Sequence, residues 1–127
     1  MLLSLFVLSS CSLLKVSIPV EEKGRQRAAL TLLEDAEKEL QSGNDIKAEE
    51  YLERAIRIEP QNAVLWQALA KSKFQQGLYS QAIQLCHKSN SYLPSNVTRR
   101  NNWLLIEQAY LELGNVQEAQ KARARVK

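Results

Sequence analysis

The chain has 127 residues, of which 45% are apolar, a net charge of +3, one histidine and two cysteines. One histidine and so few cysteines cannot supply the nitrogen and sulfur ligands of a metal site, and the isolated glycines form no phosphate-binding loop. We therefore expect no metal, no cofactor and no small-molecule substrate, and a function in binding.

The N-terminus is an apolar segment. Leu2 to Leu8 is apolar except for one serine, and it is far too short to cross a bilayer, which takes about 20 residues. The Leu-Ser-Ser-Cys sequence that ends at Cys11 resembles the bacterial lipobox. This resemblance implies cleavage before Cys11 and attachment of lipid to it, with residues 1–10 as a signal peptide.

The same resemblance divides the rest of the chain. We predict a lipidated N-terminus and tether at residues 11–21 and a folded domain at 22–127. Ser12, directly after the cysteine, is compatible with sorting to the outer membrane on its periplasmic side. A signal peptide normally begins with a positively charged segment, but no lysine or arginine precedes Leu2. The alternative is an apolar N-terminus that packs on the domain.

Within the predicted domain, landmark residues recur every 34 positions. Gly43 and Gly77 are 34 residues apart, as are Pro60 and Pro94. This period is typical of a helix-turn-helix solenoid. Each glycine suits the position just after a helix end, where the backbone turns left-handed. Each proline suits the end of the second helix, because its ring cannot continue one.

The middle unit shows the two helices of one repeat. Apolar and small residues recur at helical spacing on both sides of Gly77; they are Trp66, Leu69, Ala70 and Phe74, then Tyr79, Ala82, Ile83 and Cys86. With Pro94, this pattern resembles the tetratricopeptide repeat (TPR) family. The resemblance implies an all-α, right-handed solenoid of about three repeats, six helices in all, at about residues 29–62, 63–96 and 100–127.

The first and last repeats are expected to differ from the middle one. The helical pattern starts near Glu21, which predicts a long first helix, and Gly114 follows the preceding turn glycine by 37 residues. The first helix of the third repeat should therefore be about one turn longer. The last helix, 116–127, should cap the stack. We also predict that Trp66 and Trp103 are largely buried.

By resemblance to the family, a concave face lined by the first helix of each repeat binds a peptide or helix of a partner protein. The predicted groove residues are Gln67, Lys71, Phe74, Asn101, Leu104 and Gln108. Asn101 and its neighbour Asn102 have either a role in recognition or one in helix capping or plain exposure. The family's carboxylate clamp would fall on Leu33, Glu37, Ala68, Asn101 and Leu105, where only Asn101 has a suitable side chain.

Catalysis by a cysteine and histidine pair is not expected. Cys86 and His87 are consecutive, and consecutive side chains on a helix do not face each other. Cys86 lies instead on the apolar stripe of its helix, where a free cysteine acts as a small hydrophobic residue. We therefore predict a protein that is not an enzyme.

Charge is divided along the chain. Residues 21–60 carry a net charge of −4 and residues 61–127 one of +6. The bases are scattered over several helices, so we expect no nucleic-acid partner. The prediction is a lipid-anchored adaptor of the bacterial cell envelope that assists a pilus, secretion or cell-wall machine. The alternatives are a soluble adaptor without the anchor and a non-catalytic accessory subunit of an envelope enzyme.

Overall fold

Six α-helices form the part of the chain that the computed structural model describes, residues 17–127. The helices are α1 (Val20–Gln41), α2 (Asp45–Ile58), α3 (Ala63–Gln75), α4 (Tyr79–Ser91), α5 (Asn96–Glu112) and α6 (Val116–Ala124). Each packs on the next, giving three helix pairs, and the short turns between consecutive helices reverse the chain direction. The prediction of an all-α solenoid of six helices is confirmed. None of these helices is long and apolar enough to cross a membrane.

The two unusual helix lengths are also confirmed. α1 has 22 residues and begins at Val20. α5 has 17 residues against 13 in α3, and four residues correspond to about one helical turn. The start of α5 is fixed by Ser95, whose Oγ accepts a hydrogen bond from the backbone N–H of Thr98 at 3.2 Å.

The three predicted turn glycines share one backbone conformation. Gly43, Gly77 and Gly114 have φ of +78°, +76° and +75°. At the first turn, the N–H of Gly43 donates to the carbonyl of Leu40 and that of Asn44 donates to the carbonyl of Glu39. This pair of bonds is the Schellman arrangement that closes a helix C-terminus. It recurs at the other two glycines, so each repeat turns by means of its own backbone.

Two apolar clusters form the core, and both are rich in alanine. The first joins α1, α2 and α3; its buried residues are Ala36, Leu40, Ala48, Leu52, Ala68 and Leu69. The second joins α3 to the last three helices through Ala70, Ile83, Cys86, Ile106, Ala109 and Ala122. α3 contributes to both clusters, because it is apolar on more than one side. Small side chains at these contacts let the helix backbones approach closely.

The prediction that the tryptophans are largely buried is confirmed, although neither ring lies at the centre of the core. Trp66 and Trp103 are both half-buried, and the deeply buried positions beside them belong to Leu65 and Ile106, each 1% exposed. The indole Nε1 of Trp66 donates to the carbonyl of Pro60 at 2.7 Å. An indole with a polar N–H is best placed where one end reaches a partner or water, so these rings lie at the rim of the core.

Buried polar side chains tie consecutive helices together. The Ser72 hydroxyl of α3 donates to the carbonyl of Asp45 in α2 at 3.0 Å, and the Ser89 hydroxyl of α4 donates to the carbonyl of Ala63 in α3 at 2.7 Å. Lys73 forms an ion pair with Glu49 at 2.8 Å, and Gln76 donates to the same carboxylate. These bonds fix the relative positions of α2, α3 and α4, and so the spacing of the face described next.

Candidate functional site

A groove runs along the concave side of the solenoid and is lined by the first helix of each pair, α1, α3 and α5. It contains three cavities in series. Two lie between α1 and α3, with volumes of about 330 and 260 Å³, and one lies between α3 and α5, with a volume of about 300 Å³. These cavities are open to solvent, so the groove can receive a ligand without a change in the helices.

Five of the six predicted groove residues lie around the α3–α5 cavity. Its lining consists of Gln67, Lys71, Asn101, Leu104, Leu105 and Gln108. α3 supplies the first two residues, one turn apart, and α5 supplies the others from successive turns. Leu105 was not among the predicted residues, although its position next to Leu104 on the same helix could have indicated it. The cavity therefore has an apolar patch surrounded by amides and one cation.

Phe74, the sixth predicted residue, lies elsewhere. It packs against the second core cluster and contacts Tyr79 edge-to-face, with the ring centroids 5.1 Å apart. Phe74 shares a helix face with Gln67 and Lys71, but it lies in the last turn of α3, where the Gly77 turn brings α4 across it. The structure thus gives this ring a place in packing, away from the groove cavities.

Lys71 supplies a positive charge to the groove. Its side chain is exposed and lines both the α3–α5 cavity and the neighbouring one, which also contains Glu37 and Gln75. No carboxylate in residues 17–127 forms an ion pair with it. The Lys71 ammonium is therefore free to pair with a ligand, while Glu37 supplies the opposite charge one helix away.

The two adjacent asparagines of α5 have different environments. Asn101 is exposed and faces the groove. Asn102 is 0% exposed, and its amide nitrogen donates to Ser89 Oγ and to Asn90 Oδ1, both at 2.8 Å. Asn102 therefore holds α5 against α4. The sequence alone does not separate these two roles, because the burial of Asn102 depends on its hydrogen bond to Ser89 of the neighbouring helix.

The structure offers no carboxylate clamp at the family's positions. Ala68 is 4% exposed and belongs to the first core cluster, so it cannot reach a ligand. Leu33 and Leu105 are half-buried and apolar. Of the five positions, Glu37 and Asn101 carry exposed polar side chains, and Glu37 repels a carboxylate.

Cys86 and His87 point to different environments. The Cys86 thiol is fully buried in the second cluster, and burial raises its pKa to about 12. His87 is exposed and lies against Trp103, with the ring centroids 5.6 Å apart. A thiol that remains protonated at neutral pH and does not face the imidazole cannot serve as a nucleophile. Cys11, the predicted lipid attachment site, lies outside the described residues, as do residues 1–10.

A helical solenoid with a groove along its first helices belongs to the class of repeat domains that bind other proteins. A family model described as Tetratricopeptide repeat matches residues 39–96. The solved globular C-terminal domain of P. aeruginosa LpoP is 31% identical to this chain over 78% of the chain and 94% of that domain, with a TM-score of 0.75. The chain belongs to the tetratricopeptide repeat family, as a bacterial TPR protein.

A second solved structure supports the fold alone. The N-terminal domain of stress-induced protein-1 (STI-1) from C. elegans is 15% identical, covers 80% of this chain and 84% of its own length, and has a TM-score of 0.74. No curated protein matches the chain. The function of this fold class is protein interaction, and the TPR resemblance found in the sequence is confirmed.

Proposed function

We propose that this protein is an adaptor of the bacterial cell envelope whose concave groove holds a segment of a partner protein while lipid on Cys11 anchors it to the membrane. The observation that carries the proposal is the meeting of Gln67, Lys71, Asn101, Leu104 and Gln108 around one cavity. These residues come from two repeats and converge only in the folded solenoid.

The chemistry of the cavity favours a peptide ligand. Each amide of Gln67, Asn101 and Gln108 can donate and accept hydrogen bonds, and a peptide backbone offers both groups at every residue. Leu104 and Leu105 supply an apolar floor for one side chain of the ligand. Lys71 would pair with an acidic side chain or with a backbone carbonyl. This mixture matches the way grooves bind an extended segment or a helix.

The groove also limits the length of the ligand. Neighbouring helices pack about 10 Å apart, so a ligand crossing α1, α3 and α5 spans about 20 Å. An extended chain rises about 3.3 Å per residue, which corresponds to about six residues. A short linear segment of the partner is therefore enough to fill the groove, and we propose that this partner belongs to an envelope complex such as a pilus, secretion or cell-wall machine.

The anchor is proposed from the lipobox-like sequence that ends at Cys11. One acyl chain gives only reversible membrane binding, whereas several give a stable anchor. Replacing Cys11 by serine should therefore leave a protein that high salt extracts from membranes, whereas the wild type resists extraction, because salt screens attraction between cations and lipid phosphates but does not release an acyl anchor. If the Cys11→Ser protein resists extraction as fully as the wild type, an adaptor without the lipid anchor replaces this part of the proposal.

Site-specific photo-crosslinking tests the groove. A benzophenone amino acid at Leu104 or Gln108 should crosslink a single envelope protein, which mass spectrometry identifies, and the same probe at exposed Gln84 on α4 serves as the control position. Asn101→Ala and Lys71→Ala should each lower the crosslinked yield about tenfold, since each removes one hydrogen bond or ion pair to the ligand. Equal yields from the Gln84 probe, or full yields from both variants, would place the interaction elsewhere.

A further inference from the structure

The middle of the chain contains no acidic residue. Between Glu59 and Glu107 there is no aspartate or glutamate, while five lysines and arginines occur. Lys73 is paired with Glu49. Lys88, Arg99 and Arg100 are exposed and form no ion pair within residues 17–127. Because these three cations have no carboxylate partner within residues 17–127, they are available to an anionic surface.

Leu93 is placed in solvent by a strained backbone. It is the one non-glycine residue of the described chain with a positive φ, +49°, and its side chain is 90% exposed. The left-handed conformation costs a leucine about 1 kcal/mol or more, and an exposed leucine gains nothing in return from the core. The turn between α4 and α5 thus holds a large apolar side chain outward at a cost to folding.

Two aromatic rings and a lysine surround this leucine's turn. Trp66 stacks on Tyr92 with the ring centroids 6.3 Å apart, and Lys88 Nζ lies 5.5 Å from the Trp66 ring and 5.2 Å from the Tyr92 ring. Both rings are half-buried. Tyr92 directly precedes Leu93, so the apolar tip, the aromatic pair and the cation form one surface. Trp66, Lys88, Tyr92, Leu93, Arg99 and Arg100 are called the basic edge below.

The basic edge lies at one end of the helices. Since consecutive helices are antiparallel, the start of α1, the α2–α3 turn, the α4–α5 turn and the end of α6 share one side of the solenoid. Contacts agree with this placement, because Glu22 and Arg25 of α1 line a cavity with residues 58–62, and Arg125 after α6 lies 5.1 Å from the Trp103 ring. The chain therefore enters its first helix on the side that carries the basic edge.

We propose that the basic edge binds the surface of an anionic phospholipid bilayer. Leu93 enters the acyl boundary, Trp66 and Tyr92 lie at the headgroup level, where amphipathic rings are favoured, and the three cations pair with lipid phosphates. A nucleic acid would use the cations without the exposed leucine, and an acidic protein would need an apolar pocket within its charged surface to receive Leu93. The bilayer explains both features, and it leaves the concave groove, which lies along the helix sides, free for a partner.

This inference goes beyond the groove and does not depend on lipid at Cys11. Each lysine or arginine near an anionic surface should contribute about fivefold to the partition coefficient, and the leucine about tenfold. Loss of the three cations should therefore weaken binding about a hundredfold. Leu93→Gly should weaken vesicle binding but raise the stability of the fold, because glycine removes the backbone strain.

The test measures co-sedimentation of the full chain, carrying Cys11→Ser so that it has no lipid, with vesicles. Binding is expected for phosphatidylcholine vesicles that contain phosphatidylglycerol and not for phosphatidylcholine alone. Leu93→Gly should bind about tenfold more weakly with an equal or higher melting temperature. The variant with Lys88, Arg99 and Arg100 changed to glutamine should bind about a hundredfold more weakly.

Matched controls decide between surfaces. Ile46 is 72% exposed at the opposite ends of the helices, and Ile46→Asn, like the groove variant Asn101→Ala, should leave vesicle binding unchanged. Equal loss for Ile46→Asn, full binding by the glutamine variant, or equal binding to neutral vesicles would overturn the proposal. Tighter binding to polyuridine or polyglutamate than to anionic vesicles would also overturn it, in favour of a polyanion in solution.

Discussion

The paired asparagines of α5 provide a comparison of two identical side chains at adjacent positions. Asn102→Ala removes two hydrogen bonds, to Ser89 Oγ and Asn90 Oδ1. Each is worth about 1 kcal/mol, and the lost side chain leaves a small cavity worth about 1 kcal/mol more. Asn102 Oδ1 is buried without a hydrogen-bond partner in the described part of the chain, and removing it recovers about 1 kcal/mol. The net destabilisation should be about 2 kcal/mol.

Asn101→Ala should have a different effect on unfolding. Asn101 is exposed in the interior of a helix, where alanine is the better helix former by up to about 0.7 kcal/mol. Urea unfolding followed by circular dichroism measures both variants, and a loss of 2 kcal/mol lowers the melting temperature of a domain this size by about 10 °C. Equal stability of the two variants would refute the assignment of Asn102 to the α4–α5 contact. Partner capture should show the opposite pattern: Asn101→Ala should lose it and Asn102→Ala should retain it.

Three further changes have defined outcomes. Gly77→Ala should destabilise by about 1 kcal/mol through its positive φ alone, because an added Cβ meets no atom within 4 Å. Lys73→Ala should cost about 2 kcal/mol, since it leaves the half-buried Glu49 carboxylate without its cation. Burial raises the pKa of Cys86 from the ordinary 9.0 to about 12, so its contribution to stability is complete below about pH 9 and is lost as pH rises toward 12, by about 1.4 kcal/mol per pH unit.

Each of these outcomes has its own control. Gly24 lies inside α1 with no positive φ and open space around it, so Gly24→Ala should stabilise where Gly77→Ala destabilises. A double-mutant cycle with Glu49→Ala isolates the ion pair, and strict additivity would show that Lys73 acts through packing. In a Cys11→Ser background, a thiol reagent should label Cys86 only on unfolding. Rapid labelling of the native protein would contradict its burial.

The features predicted correctly from the sequence are those set by local backbone physics. Gly43, Gly77 and Gly114 occupy left-handed positions that few other residues tolerate, and they fixed the number of helices and their approximate ends. The groove residues followed from the resemblance to the TPR family, and their role in binding stays a prediction. The turn glycines, in contrast, are read from short stretches of sequence.

The details that the sequence did not specify depend on contacts with other elements. Trp66 satisfies its indole N–H on the Pro60 carbonyl, which requires the rim of the core and not its centre. Phe74 has the spacing of a groove residue, and its ring also packs edge-to-face against Tyr79 of the next helix. Asn102 is buried because Ser89 is present on α4. In each case a partner from another element decided the position, and periodicity within one helix carries no record of it.

The short last helix has a consequence for how the domain opens. α6 has nine residues and buries only Ala119 and Ala122, while each helix of a solenoid contacts mainly its neighbours. Its local unfolding should therefore require much less free energy than global unfolding, and its amides should exchange with solvent hydrogen first. Each opening removes Arg125 from the Trp103 ring and bares the outer side of α5. Local stability should therefore fall toward the C-terminal end of the domain. Helices α1 to α4 stay folded longest, and the amide hydrogens of α6 exchange fastest.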